Sequence, residues 1–372
     1  MNAVMLLVAL STLLIAQGLV MRRFALKRIT YERRFSRLAA YEGEEVEMVE
    51  VIRNRKLLPV PWLRAESRIS PNLRFKTDIE THITGDQYHK SVFYLKPYSQ
   101  ITRRHTVLLK KRGYYQAGAV AITAGDLMGI ASPVMQADTG AAIEVYPGLM
   151  NMEELSLPSS RWQGDLLVKR WIVSDPVWVS GIRPYAAGDD PSNIHWPATA
   201  RLNTLQVKVH DQTADVKLLV VINAQMSEHQ WADLMEYEQQ TVEHMISLAA
   251  TLCVDMLNHG MEAGFAANIP LDKGAEPAIL PPARHSLRET EILSAMAHLT
   301  AAKTHTFLSL LDRLAAFTGM DMLLLSVYDS ELIQLKINTL RLRGNTVTLQ
   351  LIEKQAPPKA DPSAERSAGL EK

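Results

Sequence analysis

Val216-Lys217-Leu218-Leu219-Val220-Val221-Ile222, followed at once by Asn223-Ala224-Gln225-Met226-Ser227, is the stretch that decides the fold. Its apolar run is nearly continuous rather than alternating, which marks a strand buried on both faces of a parallel sheet. Downstream, Trp231, Leu234, Met235, Val242, Met245, Ile246, Ala249, Leu252, Cys253 and Met256 recur at helical spacing, and Gly260 supplies a stop. Gly264-Phe265-Ala266-Ala267 reads as the next strand, and Ser286-Leu287-Arg288-Glu289 as a capping box opening a helix through Ile292, Leu293, Met296 and Leu299. A helix over Phe307 to Phe317, a strand over Met322 to Tyr328, a helix over Leu332 to Leu340 and a strand over Thr346 to Ile352 complete the pattern. Strands alternating with helices predict a doubly wound α/β domain over 204–352. Residues 353–372, rich in Pro, Ala and charge, read as a disordered tail.

Upstream the pattern is different. From about 39 to 150 the chain reads as all-β. Glu44-Glu45-Val46-Glu47-Met48 alternates, Val92-Phe93-Tyr94-Leu95 and Thr106-Val107-Leu108-Leu109 are β-rich, and Asp126-Leu127-Met128-Gly129 reads as a turn. Short strands with frequent turn signals predict a β-sandwich. A connecting segment over 151–203 holds Trp162, Trp171 and Trp178, which read first as a linker docked on a neighbouring domain and second as a partner surface.

The N-terminus is apolar and uncharged from Ala3 to Met21, about the length that spans hydrocarbon. Arg22, Arg23, Lys27, Arg28, Arg33 and Arg34 follow it, so 1–21 reads as a single-pass transmembrane helix and 22–38 as a basic juxtamembrane segment. The positive-inside bias puts the N-terminus outside and the bulk of the chain in the cytoplasm, an inner-membrane placement. A cleaved secretory peptide with Ala16-Gln17-Gly18 as its site is the competing reading. The 40 basic residues balance 40 acidic ones, which argues against a general nucleic-acid binder. Cys253, the one cysteine, has no intrachain disulfide partner and reads as a packed core thiol.

Candidate functional residues concentrate in Gly181-Ile182-Arg183-Pro184-Tyr185-Ala186-Ala187-Gly188-Asp189-Asp190-Pro191-Ser192-Asn193-Ile194-His195-Trp196, which leads into Ala198-Thr199-Ala200-Arg201. A Gly-Asp-Asp turn is followed here by an Ile-His-Trp strand start. Arg183 or Arg201 pairing with Asp189 and Asp190 would lock the linker onto the α/β domain; a partner surface is the second reading. A hydrolytic or metal-dependent activity using Asp189, Asp190 and His195 is a third. Against it, the chain has no phosphate-binding glycine loop, no Gly-x-Ser-x-Gly elbow and no Cys/His metal spacing. No catalytic residue and no cofactor are therefore assigned.

Taken together, Arg183, Tyr185, Gly188, Asp189, Asp190, His195, Trp196 and Arg201 resemble the signature of the family known as domain of unknown function fifty-eight. Arg112-Gly113-Tyr114 and Asp126-Leu127-Met128-Gly129 resemble its sandwich landmarks. The resemblance covers nearly the whole chain and implies a membrane segment, a β-sandwich, this signature, and a von Willebrand factor A-like domain. It also implies a MoxR-type AAA+ ATPase as partner, with the chain acting as a membrane-linked adaptor. Ala187 stands where the family usually has Pro, Pro197 follows the Trp, and one hydrophobic segment replaces two. In von Willebrand factor A-like domains an Asp-x-Ser-x-Ser triplet holds a divalent cation after the first strand. Here Asn223 and Gln225 replace its first two members and only Ser227 remains, so the resemblance implies a degenerate metal site with little or no Mg²⁺ affinity.

Overall fold

The structure is a computed structural model that describes residues 3–76, 81–83, 86–125, 132–151, 174–186, 189–212, 217–230, 234–272, 274, 276–300 and 305–354. The Asp126–Gly129 turn, Trp162, Trp171, Gly188, Trp231 and residues 355–372 lie outside these. The chain divides into two units, Met1–Gly148 and Leu149–Lys372.

The first unit begins with α1 (Ala3–Phe24). Within it Met5–Phe24, 20 residues and mostly exposed, is long and apolar enough to cross a membrane. Arg22 and Arg23 in its last turn complement the negative end of its dipole. Its end runs into the body of the unit. Met21 and Ala25 share a core cluster with Ile29, Tyr31 and Ile52, and the Ala25 carbonyl accepts a 2.6 Å bond from Lys56 Nζ. Burial pulls the Lys56 ammonium down to about 8.

The segment expected as a basic juxtamembrane stretch contains a strand, β1 (Ile29–Phe35), paired antiparallel with β3 (Glu45–Asn54). Ile29, Tyr31, Arg33 and Phe35 face inward, while Glu32 and Arg34 are exposed. Charges on the outward positions hide this period-two pattern in the sequence. β3 continues to β8 (Gln100–Leu109) and β5 (Leu73–Phe75). A second antiparallel sheet runs β11 (Val134–Asp138), β10 (Ala119–Gly125), β4 (Val60–Ile69), β7 (Asp86–Leu95), β6 (Thr81–Ile83). Side chains of both sheets share the cluster of Ile52, Leu63, Phe93 and Ile122, which makes the pair a sandwich. A small sheet of β2 (Ala39–Tyr41), β12 (Ala142–Tyr146) and β9 (Gly113–Gln116) adjoins them.

Among the described residues of the second unit, the first strands form an antiparallel ribbon of β13 (Ser174–Pro184) and β14 (Gln206–Gln212). Part of the segment expected to be a linker is thus paired strand. The stretch between the two strands carries a short 3-10 turn, Pro191–Asn193, and α2 (Trp196–Leu202), where a strand start had been expected.

The main sheet has the order β17 (Pro277–Ala283), β16 (Glu262–Pro270), β15 (Lys217–Ile222), β18 (Asp321–Ser326), β19 (Thr346–Leu351). The last four in this order are parallel and β17 is an antiparallel edge. Leu219 and Val221 pack with α5 (Phe307–Leu314) and α6 (Glu331–Leu342). Leu218, Val220 and Ile222 are fully buried on the opposite face, where α3 (Glu236–Asn258) packs on β15 and β16. Burial on both faces is why this strand reads as an unbroken apolar run.

Two details depart from the sequence reading. The helix expected to open with a capping box at Ser286 is α4 (Arg288–Ala297), and its cap position, Leu287, contributes no side-chain bond. Instead the buried Arg288 guanidinium donates to the carbonyls of Ala263 and Pro281 and fixes the helix start to the sheet. Proline-rich β17 was not expected at all. It is tolerated because an edge strand need not donate on its outer side, and Gly264 admits it: a Cβ there would lie 2.3 Å from the Leu280 carbonyl oxygen.

Candidate functional site

The signature residues fall on the connection between β13 and β14. Asp189 accepts a bidentate pair from Arg183, Nη1 to Oδ2 at 2.7 Å and Nη2 to Oδ1 at 2.6 Å, and a third bond from the Ala186 N–H at 2.8 Å. The bond from Arg183, then that from Ala186, brings the Asp189 carboxyl down to about 2; the same contact raises Arg183. The pair lies at the surface, where its main effect is to fix the turn rather than to stabilise the fold.

Asp190 departs from the expected arginine pairing. It caps the 3-10 turn, accepting from the Ser192 N–H at 2.9 Å, and that bond lowers its pKa. His195 is the cap of α2, its Nδ1 accepting from the Ala198 N–H at 3.0 Å. Pro197 sits in the first turn of α2, where its missing N–H costs no helical bond. Arg201 lies in the last turn of that helix and is exposed. Arg183, Asp189, Asp190 and His195 are thus each engaged in local turn or cap geometry. Several apolar side chains around them are exposed, although Ala198 and Val207 are buried. Trp196 is 66% exposed, and Ile182, Tyr185, Leu202 and Leu205 are exposed as well.

The second candidate site lies at the carboxyl ends of β15, β16 and β18, where open α/β sheets collect ligands. Asn223 is fully buried. Its Nδ2 donates to Ser326 Oγ at 3.0 Å, and its Oδ1 accepts from the Gln225 N–H at 3.0 Å and from Asn268 Nδ2 at 3.4 Å. Asn268 Oδ1 accepts from the Ala224 N–H at 2.8 Å. Gln225 Oε1 accepts from the Phe307 N–H at 2.6 Å, satisfying one of the free amides at the start of α5. Ser227 is exposed in the turn beyond. Asp329, a possible carboxylate for this site, accepts instead from Gln334 at 2.7 Å.

Neutral amides and a hydroxyl therefore line this end of the sheet, with their polar atoms turned on one another. A Mg²⁺ ion wants carboxylate oxygens in octahedral array, and these residues do not fit it.

A third constellation escaped the sequence reading. Midway through the sandwich, the inward positions of several strands carry polar side chains. Glu50 of β3 and Arg33 of β1 sit opposite each other, both with side chains fully buried, at 2.8 Å. Glu50 Oε1 also accepts from Tyr31 Oη at 2.5 Å, and Oε2 accepts from Ser91 Oγ at 2.8 Å. His105 Nε2 lies 3.2 Å from Oε2 and His89 Nε2 3.4 Å from Oε1. Arg33 donates further to Ser67 Oγ at 2.7 Å. Burial alone would raise the Glu50 pKa. The bonds from His105 and His89 and the Arg33 charge outweigh it and hold the carboxyl far below its ordinary range. The signal was available: along Val46, Met48, Glu50 and Ile52 a charge interrupts an apolar alternation.

The described elements define a class: an apolar helix able to span a membrane, a β-rich unit, and an α/β unit with a parallel sheet whose ligand end is closed by neutral groups. Residues 181–323, from the ribbon through most of the α/β unit, match the family described as "Protein of unknown function DUF58", which supports that family for this chain. No curated protein matches it. Among solved structures, the CARDB domain of a Pyrococcus furiosus protein is 15% identical over 32% of this chain and 91% of its own, with a TM-score of 0.21. A cohesin–dockerin complex from Clostridium thermocellum is 10% identical over 31% and 99%, at 0.20. A β-glucosidase from Listeria innocua is 12% identical over 32% and 16%, at 0.17.

Proposed function

We propose that this chain is a membrane-anchored, non-enzymatic adaptor. Its α/β unit is von Willebrand factor A-like with a retired cation site, and its partner is a MoxR-type AAA+ ATPase, in assembly or maturation of a larger complex. The observation that carries this reading is the exposed apolar set at the signature, with Trp196 at its head, beside charged groups already spent on local structure. Exposed indoles are common anchors of protein interfaces. The antiparallel edge strand beside an otherwise parallel sheet, and the polar cluster at the ends of the central strands, support the domain assignment. The helix end built into the sandwich core supports an anchor over a cleaved leader. For the hydrolytic reading with Asp189, Asp190 and His195, the His195 Nδ1 is committed to the helix cap and each carboxylate to its turn.

The test is capture of a MoxR-type ATPase by the full-length chain in detergent. Trp196→Ala is expected to weaken capture by about tenfold or more, as loss of an interface anchor does, with an unchanged melting temperature. Equal capture by the variant would remove the signature surface from the interface.

A further inference from the structure

We propose that Glu50, His89 and His105 form a Zn²⁺ site inside the β-sandwich. The inference is independent of the adaptor reading, since it lies in the other unit. One ligand atom from each residue falls within 4.8 Å of the other two. Two imidazoles and one carboxylate are a donor set that zinc takes with a fourth position left for water. Zinc–ligand bonds of about 2.0–2.2 Å require ligand atoms about 3.3 Å apart on the edges of a tetrahedron. His105 Nε2 stands 3.2 Å from Glu50 Oε2 and His89 Nε2 3.4 Å from the other oxygen, Oε1, so a small turn of the carboxylate and of His89 brings all three ligand atoms to that spacing around an ion. The two rings are nearly perpendicular, with centroids 4.7 Å apart, so their nitrogens converge on the carboxylate rather than stack past it.

The surroundings supply what a metal centre needs around its ligands. Tyr31 and Arg33 hold Oε1 and fix the carboxylate plane. Ser91 Oγ, 2.8 Å from Oε2 and 3.1 Å from His89 Nε2, is placed to orient a bound water. Phe75 stacks on His89 at 4.6 Å and meets His105 edge-on at 6.0 Å, giving the apolar cover that such sites carry. Side-chain exposures of 11% for His89 and 14% for His105 leave a way in for an ion.

The Arg33 charge decides which ion. It already claims part of the Glu50 charge, so a hard cation that depends on carboxylate oxygens gains little here. An ion bound chiefly by neutral imidazole nitrogen is favoured, which selects zinc over magnesium or calcium. On binding, the ion takes the place of the Nε2 protons that bond Glu50 in its absence, and each imidazole stays neutral with its proton on Nδ1.

The experiment uses the full-length chain in detergent, stripped with a chelator and titrated with Zn²⁺ against a chromophoric indicator. Co²⁺ spectra give a second readout. One zinc per chain at micromolar affinity or tighter is expected, and tetrahedral cobalt bands with it. His89→Ala/His105→Ala should lower affinity by about 100-fold or more and abolish those bands. His105→Gln keeps a donor toward Glu50, so the sandwich stays folded, and it should also lose the bands. Absence of zinc binding by the folded chain at tens of micromolar would overturn the proposal. So would zinc binding that survives the histidine substitutions, since it would then belong to surface carboxylates and imidazoles elsewhere.

Discussion

Arg33 and Glu50 show how one residue can be costly to lose without being a net source of stability. Both side chains are fully buried, and each is surrounded by donors or acceptors that suit its charge. Taking two ions out of water cancels much of what their attraction returns, but removing one leaves the other uncompensated. Arg33→Met is therefore expected to lower unfolding free energy by about 3–5 kcal/mol, while Arg33→Met/Glu50→Leu recovers much of that loss. Urea denaturation measures both, and a single variant as stable as the wild type would show that the pair bears no such load. The same carboxylate gives stability a pH dependence. Its folded pKa lies below its unfolded value of 4.5, so its contribution is present above that value and is lost as pH falls through and below it. Wild-type stability should thus decline below about pH 5 more steeply than that of the double variant. The sequence held these positions in plain view. Ile29, Tyr31, Arg33 and Phe35, like Val46, Met48, Glu50 and Ile52, break an apolar alternation at one place each. No local rule brings the two breaks together; only the strand register Arg33↔Glu50 does.

At the scale of elements, the ends of β15, β16 and β18 are tied by Asn223, Asn268 and Ser326, and Gln225 joins α5 to them. The network is neutral, and burial without charge is inexpensive when every group is bonded. Asn223→Asp would remove the donor to Ser326 Oγ and place a carboxylate where water does not reach. Burial raises the pKa of such a group, so its penalty grows as pH rises and it ionises. The variant is expected to be about 1–3 kcal/mol less stable than wild type at neutral pH, with the gap narrowing on acidification. Thermal melts across pH read this directly, and equal stability at pH 7 would mean the cluster accepts charge after all. The apolar parallel strands and the long α3 were legible because their patterns are local and strong. β17 was not, because Pro277, Pro281 and Pro282 argue against a strand and only its place at the sheet edge permits them. β13 was hidden for a related reason: its partner, β14, lies beyond the whole signature turn. The Ser286 cap failed because a long-range bond, Arg288 to Ala263, outweighs a local one.

For the whole molecule, the decisive feature is the asymmetry of charge around α1. The helix itself is uncharged up to Arg22, and Arg22, Arg23, Lys27 and Arg28 follow within a few residues. Basic residues this close to the end of a spanning helix set its orientation, because they resist transfer across the membrane far more than acidic ones do. The rest of the first unit and all of the second follow the helix in sequence, so both are expected on the side where these charges stay. Cys253 does not discriminate between compartments: burial pushes its thiol up to about 12, so it is neither a ready nucleophile nor a disulfide partner on either side of the membrane. The orientation is therefore a matter for direct measurement. A phosphatase that folds only outside the cytoplasm, fused after Lys372, is expected to be inactive, and a fluorescent protein that matures in the cytoplasm, fused at the same place, bright. An active phosphatase with a dark fluorescent partner would invert the topology, and with it the premise that a cytoplasmic ATPase meets the signature surface.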